Sequence, residues 1–219
     1  ELFGYDWDDM QRPTIQKYNA VIHLGAISST TERDVNKIMA MNLEFSQRLL
    51  QLCNDNGTTF MYASSASVYG DVQSHYQVEK IKETDDIYPM NAYAWSKYLF
   101  DKLVMEIPEY MINVQGFRIF NAYGEGEQHK GEQQSVFGKF DLQAKNLKKI
   151  SLFEGSDRIH RDFIWVGDIC QIIEKFFHVD ETGIWNLGTG TAPSFSDIAK
   201  GYAKKHKAEI EYVPMPANL

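Results

Sequence analysis

Hydrophobic residues fall along the chain in two patterns, short solid runs and stripes at helical spacing. Asn19-Ala-Val-Ile-His-Leu24 is a solid run closed by Gly25-Ala26, as expected of a strand buried on both faces. From Lys37 to Cys53 apolar residues recur at helical spacing, with Ile38, Met41, Phe45, Leu49 and Leu52 on the predicted inner stripe. Gly57 stands where a helix C-terminus favours a left-handed residue. Thr58 to Tyr62 predicts a second strand, with Ala63-Ser64-Ser65 at its C-terminal end. A polar surface loop over 71–86, a helix from Tyr93 to Met105 and a strand from Ile112 to Phe117 follow.

The order strand, helix, strand, helix, strand predicts a parallel sheet with right-handed crossovers. After Tyr123 the rhythm changes. Gly124, Gly126 and Gly131 mark a charged loop, followed by a helix through Phe140. Short strands are predicted at Ile150 to Phe153, Asp162 to Val166 and Ile184 to Leu187, and helices beginning near Gly167 and Phe195. No internal repeat interrupts the series. The fold class is thus α/β, a Rossmann-like doubly wound parallel sheet with a small C-terminal α/β subdomain, to which the resemblance given below assigns substrate binding. The expected division is 1–123 for the sheet domain and 124–219 for the subdomain, with about 157–180 returning to the first. A doubly wound nucleotide fold opens on a Gly-rich turn that holds a pyrophosphate, and no such glycine pattern precedes Val21. The expectation is a chain whose opening portion is absent. Taken as an entire polypeptide it would be nearly inactive, with Ala20 to Leu24 a sheet edge liable to self-association.

Composition narrows the function classes. With 219 residues, 43% hydrophobic and 24% charged, the chain has globular proportions. Its net charge of -8 and pI near 5.3 argue against nucleic acid or an anionic membrane as partner. No apolar run has membrane-spanning length, and the acidic start lacks the basic opening of a signal peptide. Cys53 and Cys170, both in apolar helical contexts, are expected to be buried free thiols in a reducing cytoplasm. The six histidines show no ligand spacing, so no protein-bound metal is expected.

Tyr93 and Lys97 carry the candidate chemistry. Four residues apart on a helix, they share a face. A tyrosine ionises near 10, so proton transfer at neutral pH needs that value lowered by roughly 3, about 4 kcal/mol. A nearby ammonium and a nicotinamide cation can provide it. Spacing alone is weak evidence, since Tyr76 to Lys80 and Tyr98 to Lys102 match the same pattern. Ser65 adds weight, because open α/β sheets place ligand contacts at the C-terminal ends of strands. The plainer alternative is a helix-surface tyrosine and a capping serine.

Five ordered segments, Tyr62-Ala-Ser-Ser-Ala-Ser-Val-Tyr-Gly70, Tyr93-x-x-x-Lys97, Phe117-Arg-Ile-Phe-Asn-Ala-Tyr-Gly124, Arg161-Asp-Phe-Ile-Trp-Val-Gly-Asp168 and Asn186-Leu-Gly-Thr-Gly190, resemble the signatures of extended short-chain dehydrogenases/reductases acting on nucleotide sugars. Ser64-Ser65-Ala66 lacks the acidic pair of the dehydratases, which favours an epimerase. Gly25-Ala-Ile-Ser-Ser-Thr-Thr-Glu32, Asn121-Ala-Tyr-Gly124, Gln128-His-Lys-Gly131 and Leu152-Phe-Glu-Gly-Ser156 are similar to the ADP-glyceromanno-heptose 6-epimerases of lipopolysaccharide core synthesis.

That resemblance implies NADP, or NAD, as cofactor and ADP-heptose or another nucleotide sugar as substrate. Ser65, Tyr93, Lys97 and Lys130 would be catalytic, Lys130 as a second acid/base. Leu24, Gly25, Ala26, Ile27, Ser28, Asn42, Ala122 and Lys130 would line the dinucleotide with Tyr93 and Lys97. Ser65, Asn121, Glu132, Lys139, Phe153, Glu154, Gly155, Ser156 and Arg161 would meet the substrate, Arg161 gripping its diphosphate through a planar fork. A salt bridge from Arg161 to Asp162 or Asp168 is the alternative, and Asn186 to Gly190 is expected to be a structural turn. A homo-oligomer is implied by analogy. Glu125-Gly126-Glu127, Glu132 and Lys139 depart from the family pattern. The alternatives are a UDP-hexose 4-epimerase and a non-catalytic nucleotide-sugar-binding relative.

Overall fold

The chain was analysed as a computed structural model that describes residues 15–29, 32–70, 83, 87–106 and 110–215, apart from the side chain of Glu132. The described residues form two compact units. The first holds those up to 70, those of 82–119 and Glu174–Asn186. The second holds Phe120–Ile173 and those from Leu187 onward. The first break thus falls after Ile119, and the returning segment is Glu174–Asn186.

In the first unit, β1 (Ala20–His23), β2 (Thr59–Ser65) and β3 (Val114–Ile119) run parallel in that spatial order, and β7 (Gly183–Leu187) lies beyond β3. The connections are helical. Between β1 and β2 lie α1 (Val35–Ile38), a π-helical stretch (Met39–Glu44) and α2 (Phe45–Asp55); between β2 and β3 lies α3 (Ala92–Glu106). This is the α/β, Rossmann-like fold with a parallel sheet and flanking helices. The polar stretch over 71–86 lies outside the described residues except for Glu83.

One predicted stripe is displaced. Met41, expected inside, is 53% exposed, whereas Asn42 is buried. The cause is the π-helical stretch, whose extra residue per turn rotates every later position relative to a continuous α-helix. Beyond it α2 buries Ser46, Leu49, Leu50 and Cys53, and Gly57 takes the left-handed φ of +69° that ends the helix. Leu49, Leu50 and Cys53 pack with Phe60 and Tyr62 of β2, Phe100 and Val104 of α3, and Val114 of β3. The Tyr62 ring can lie across the neighbouring strand because Gly116 of β3 has no side chain; an added Cβ would lie 2.5 Å from that ring.

The second unit has its own core, formed by Phe140, Ala144, Ile150, Leu152, Phe163, Ile198 and Ala199. They come from α4 (Val136–Leu147), β5 (Lys149–Phe153), β6 (Phe163–Trp165) and α6 (Phe195–His206). Two strands of this unit escaped the sequence pattern, β4 (Asn121–Tyr123), which pairs with β6, and β8 (Glu209–Val213), which pairs with β5. Both are short or alternate apolar with charged residues, so neither makes a solid run. α5 (Val166–Phe176) buries Ile169 and Ile173. Cys170, the next residue round the helix, turns outward and is exposed, so the expectation of two buried thiols holds for Cys53 alone; both are free.

Candidate active site

The first unit brings Ser65, Tyr93 and Lys97 together at the carboxyl end of β2. Ser65 caps a short 3-10 turn (Ala66–Tyr69), its Oγ accepting from the Ser67 amide at 3.2 Å. The same hydroxyl is hydrogen-bonded to Tyr93, which starts the first turn of α3. One turn on, Lys97 is 6% exposed and donates from Nζ to the Ala63 carbonyl at 2.7 Å. The matching pair Tyr98 and Lys102 lies on the other side of α3, where Lys102 is exposed and pairs with Glu106 at 3.4 Å. The Tyr76 to Lys80 pair lies outside the described residues. Burial therefore separates Tyr93 and Lys97 from their look-alike on the same helix.

The electrostatics differ from the simple expectation. Burial raises the Tyr93 hydroxyl above its ordinary value, opposed by its hydrogen bond to Ser65. Burial also pulls the Lys97 ammonium down to about 8, with Asp101 acting in the other direction. An added cationic charge beside the tyrosine is what would move its hydroxyl toward neutrality.

After β1 the chain forms an open ledge in which Leu24, Gly25, Ala26 and Ser28 are exposed. A Cβ on Gly25 would meet nothing within 4 Å. Asn42 fixes this ledge from beneath. Its Oδ1 accepts from the Ile27 amide at 2.8 Å, and its Nδ2 donates to the Ile27 carbonyl at 3.0 Å and to Ser96 at 3.1 Å. Asn42 is 1% exposed, so it orients the backbone of the ledge. An open backbone ledge beside a buried lysine and a tyrosine, at the ends of parallel strands, fits a dinucleotide.

Sequence reasoning passed over His23. Its Nε2 lies 2.8 Å from Ser46 Oγ, and its ring packs on Phe45 and Phe60. Burial, and then Lys97, lowers its value from 6.5 to about 4. An unfolded chain takes up this proton near 6.5 and the folded one only near 4, so stability is full above 6.5 and falls as pH drops through that window. The contribution is about 3 kcal/mol. His23→Gln should therefore move the midpoint of acid unfolding, followed by circular dichroism, to lower pH.

The other expected site residues belong to the second unit. Asn121 and Ala122 lie on β4, exposed, with Asn121 Nδ2 donating to the Asp162 carbonyl at 2.8 Å. Lys130 lies in a 3-10 segment (Glu127–Gln133), half-exposed, with Nζ 3.3 Å from Glu127 Oε1. Glu127 is itself buried and accepts from Ser135 Oγ at 2.6 Å. Burial works to raise its carboxyl, but Ser135 and Lys130 hold it below the usual carboxylate range. Lys130 is thus tethered, a feature the sequence hinted at only by an i, i+3 charge pair. Lys139 is half-buried on α4, and the Glu132 side chain lies outside the described residues.

Phe153 ends β5, and Glu154, Gly155 and Ser156 form the turn after it, Gly155 at a φ of +81° and Ser156 buried. Arg161 donates from NH1 to the His160 carbonyl at 2.8 Å. The Asp162 carboxylate, one alternative partner for Arg161, instead accepts from the Thr189 amide, Thr189 Oγ1 and the Gly190 amide at 2.7 to 2.9 Å. An added Cβ on Gly188 would lie 2.6 Å from that carboxylate, so the glycine is required by close approach. The Leu187 to Gly190 run is held as a structural turn. Among the described residues, no group of three or more His, Cys, Asp or Glu could hold a metal ion, and no helix is long and apolar enough to cross a membrane.

Solved structures share this architecture. The chain is similar to ADP-L-glycero-D-manno-heptose-6-epimerase of Helicobacter pylori, at 25% identity and a TM-score of 0.85 over 95% of this chain and 66% of that one. It is similar in fold to UDP-N-acetylglucosamine 4-epimerase of Methanobrevibacter ruminantium, solved with UDP-N-acetylmuramic acid, at 19% identity and a TM-score of 0.84 over 94% and 67%. The RMD protein of Pseudomonas aeruginosa, complexed with NADPH, matches in fold at 24% identity and a TM-score of 0.79 over 96% and 74%. The chain therefore spans about two thirds of the length of these proteins, just under that share for the first. The family model described as the NAD dependent epimerase/dehydratase family matches residues 5–188, a span that carries the parallel sheet, the ledge and the Ser65–Tyr93–Lys97 cluster. On that match the chain belongs to the NAD dependent epimerase/dehydratase family.

Proposed function

We propose that the protein of which this chain is a part epimerises a nucleotide sugar, converting ADP-D-glycero-D-manno-heptose to its L-glycero epimer through a transient 6-keto sugar. The cluster of Ser65, Tyr93 and buried Lys97 is the observation that carries the reading. It offers a hydroxyl pair for a reacting alcohol and, one helical turn away, a buried ammonium. The absence of an acidic pair beside Ser65 supports epimerisation over dehydration. The likeness to the H. pylori enzyme and the His129-Lys130-Gly131 run support the heptose.

NADP, with NAD as the alternative, would lie on the 24–28 ledge and against Lys97, and when bound it supplies the redox step by taking up and returning a hydride. Ser65 polarises the substrate oxygen. Tyr93 removes its proton on one side, and Lys130 serves the opposite side once the ketone has turned its other face. Proton transfer from two sides needs two groups, and Lys130 is the second one proposed. Asn121, Phe153, Glu154, Gly155, Ser156 and Arg161 hold the nucleotide part, and the work is done in a reducing cytoplasm.

Lys130→Ala tests the two-base assignment. We expect epimerisation of ADP-heptose by the full-length protein to fall roughly 100-fold with the fold retained. Unimpaired turnover would sink the two-base assignment. Native protein that turns over a UDP-hexose and not ADP-heptose would instead favour a UDP-hexose 4-epimerase, which needs only Ser65, Tyr93 and Lys97.

A further inference from the structure

Beside Lys97 runs a buried polar seam that the scheme above does not use. Asp101, 1% exposed and one turn beyond Lys97 on α3, accepts three hydrogen bonds. Tyr62 donates at 3.0 Å, Ser64 at 2.9 Å and Arg118 Nε at 2.9 Å. Arg118 is itself held, donating from NH1 to Tyr69 at 2.9 Å and to the Glu83 carbonyl at 3.1 Å, over the Tyr69 ring. Tyr69 donates in turn to Asn186 at 2.7 Å.

The placement is specific. Tyr62 and Ser64 grip Asp101, and the carbonyl of Ala63 between them accepts from Lys97. Three consecutive residues of β2 therefore hold a carboxylate and an ammonium that share one face of α3. As a stabilising device alone, a buried ion pair is a poor choice, since an apolar pair of similar volume does as well or better. A fixed negative charge beside a buried ammonium has a different use.

We propose that Asp101 is a positioning residue for Lys97, the fixed counter-charge that keeps it an ammonium bound to the Ala63 carbonyl at neutral pH. Among the described residues, the other groups facing this spot cannot do so. His23 on β1 is held neutral, Tyr93 on α3 and Tyr62 on β2 are raised by burial and stay neutral, and Arg118 on β3 is a cation. Burial also raises the Asp101 carboxyl, and Arg118, Ser64 and Tyr62 counter it. Arg118 and its Tyr69 and Asn186 supports thus keep Asp101 ionised so that Asp101 can keep Lys97 charged.

The inference rests on the reading of Lys97 as part of the redox site, so its test avoids turnover. The full-length protein would be labelled with [15N]lysine, and the Lys97 Nζ signal, assigned by its loss in Lys97→Met, followed from pH 5 to 11. The expected midpoint is about 8 in the native protein. In Asp101→Asn it should fall by about 1 pH unit or more, and Asp101→Glu should restore most of it. Should Asp101→Asn not fold, the neutral double replacement Asp101→Asn/Arg118→Gln removes both charges while keeping polar partners for Tyr62 and Ser64. It too should lower the midpoint. An unchanged midpoint in the folded variant would overturn the proposal and leave Asp101 a structural partner of Arg118. Because no sugar enters the measurement, an error in the proposed substrate would leave the outcome untouched.

Discussion

Tyr93→Phe in the full-length protein should lower turnover of the nucleotide sugar by about 1,000-fold or more, with the fold and thermal stability nearly unchanged. The ring stays in its buried place on the first turn of α3, and one hydroxyl, hydrogen-bonded to Ser65, is lost. A positioned general acid or base contributes 100- to 10,000-fold, so a loss near the middle of that range is about 4 kcal/mol of transition-state stabilisation. Burial raises the Tyr93 hydroxyl, so its ionised form is favoured only as pH rises or as cationic charge is added nearby. Activity of the native protein should therefore climb with pH up to about 8, where Lys97 begins to lose its charge. Initial rates from pH 6 to 9, for native protein and Tyr93→Phe, check both statements. A variant that keeps a tenth of native turnover would remove Tyr93 from the chemistry.

The largest stability effect is expected at Arg118. Arg118→Met should destabilise the protein by about 3–5 kcal/mol, because it leaves the Asp101 carboxylate buried without its cation. Both members of this pair are nearly inaccessible, and Arg118 also holds Tyr69 and the Glu83 carbonyl. Asp141 gives the contrast. It pairs with Lys145 and with His206 at 3.0 Å, but near solvent, so Asp141→Asn should cost under about 1 kcal/mol. Urea unfolding of the two variants separates a buried network from a surface cluster. Equal shifts for both would show that burial is not what gives Arg118 its weight.

Much of this molecule is legible in its sequence, and what escapes has identifiable causes. β2 announces itself as a solid apolar run because a strand buried on both faces admits few polar residues. β1 reads the same way in the sequence, but among the described residues it leaves Ile22 41% exposed and is not covered on both faces. Ser65 follows from its place at a strand end, and Tyr93 and Lys97 from sharing a helix face. The π-helical stretch over Met39–Glu44 could not be read from periodicity, and it moved Met41 outward and Asn42 inward. β8 alternates Ile and Tyr with Glu, so its pattern is that of a half-exposed segment. Asp101 was hidden for another reason. It sits inside the look-alike run from Tyr98 to Lys102, where nothing local reveals that its partner is Arg118, seventeen residues away on β3. Asp162 is similar, since its carboxylate is engaged by Thr189 and Gly190, 27 and 28 residues distant. Contacts of that kind depend on the fold, and only the fold displays them.

The central claim is that a nucleotide sugar is inverted at one carbon by oxidation and return of the same hydride. It is tested most directly with ADP-D-glycero-D-manno-heptose carrying deuterium at C-6, incubated with the full-length protein in ordinary water and analysed by NMR and mass spectrometry. The expected result is the L-glycero epimer with the deuterium retained at C-6. A heptose that is never inverted, or one inverted with its label lost to solvent, would contradict the account.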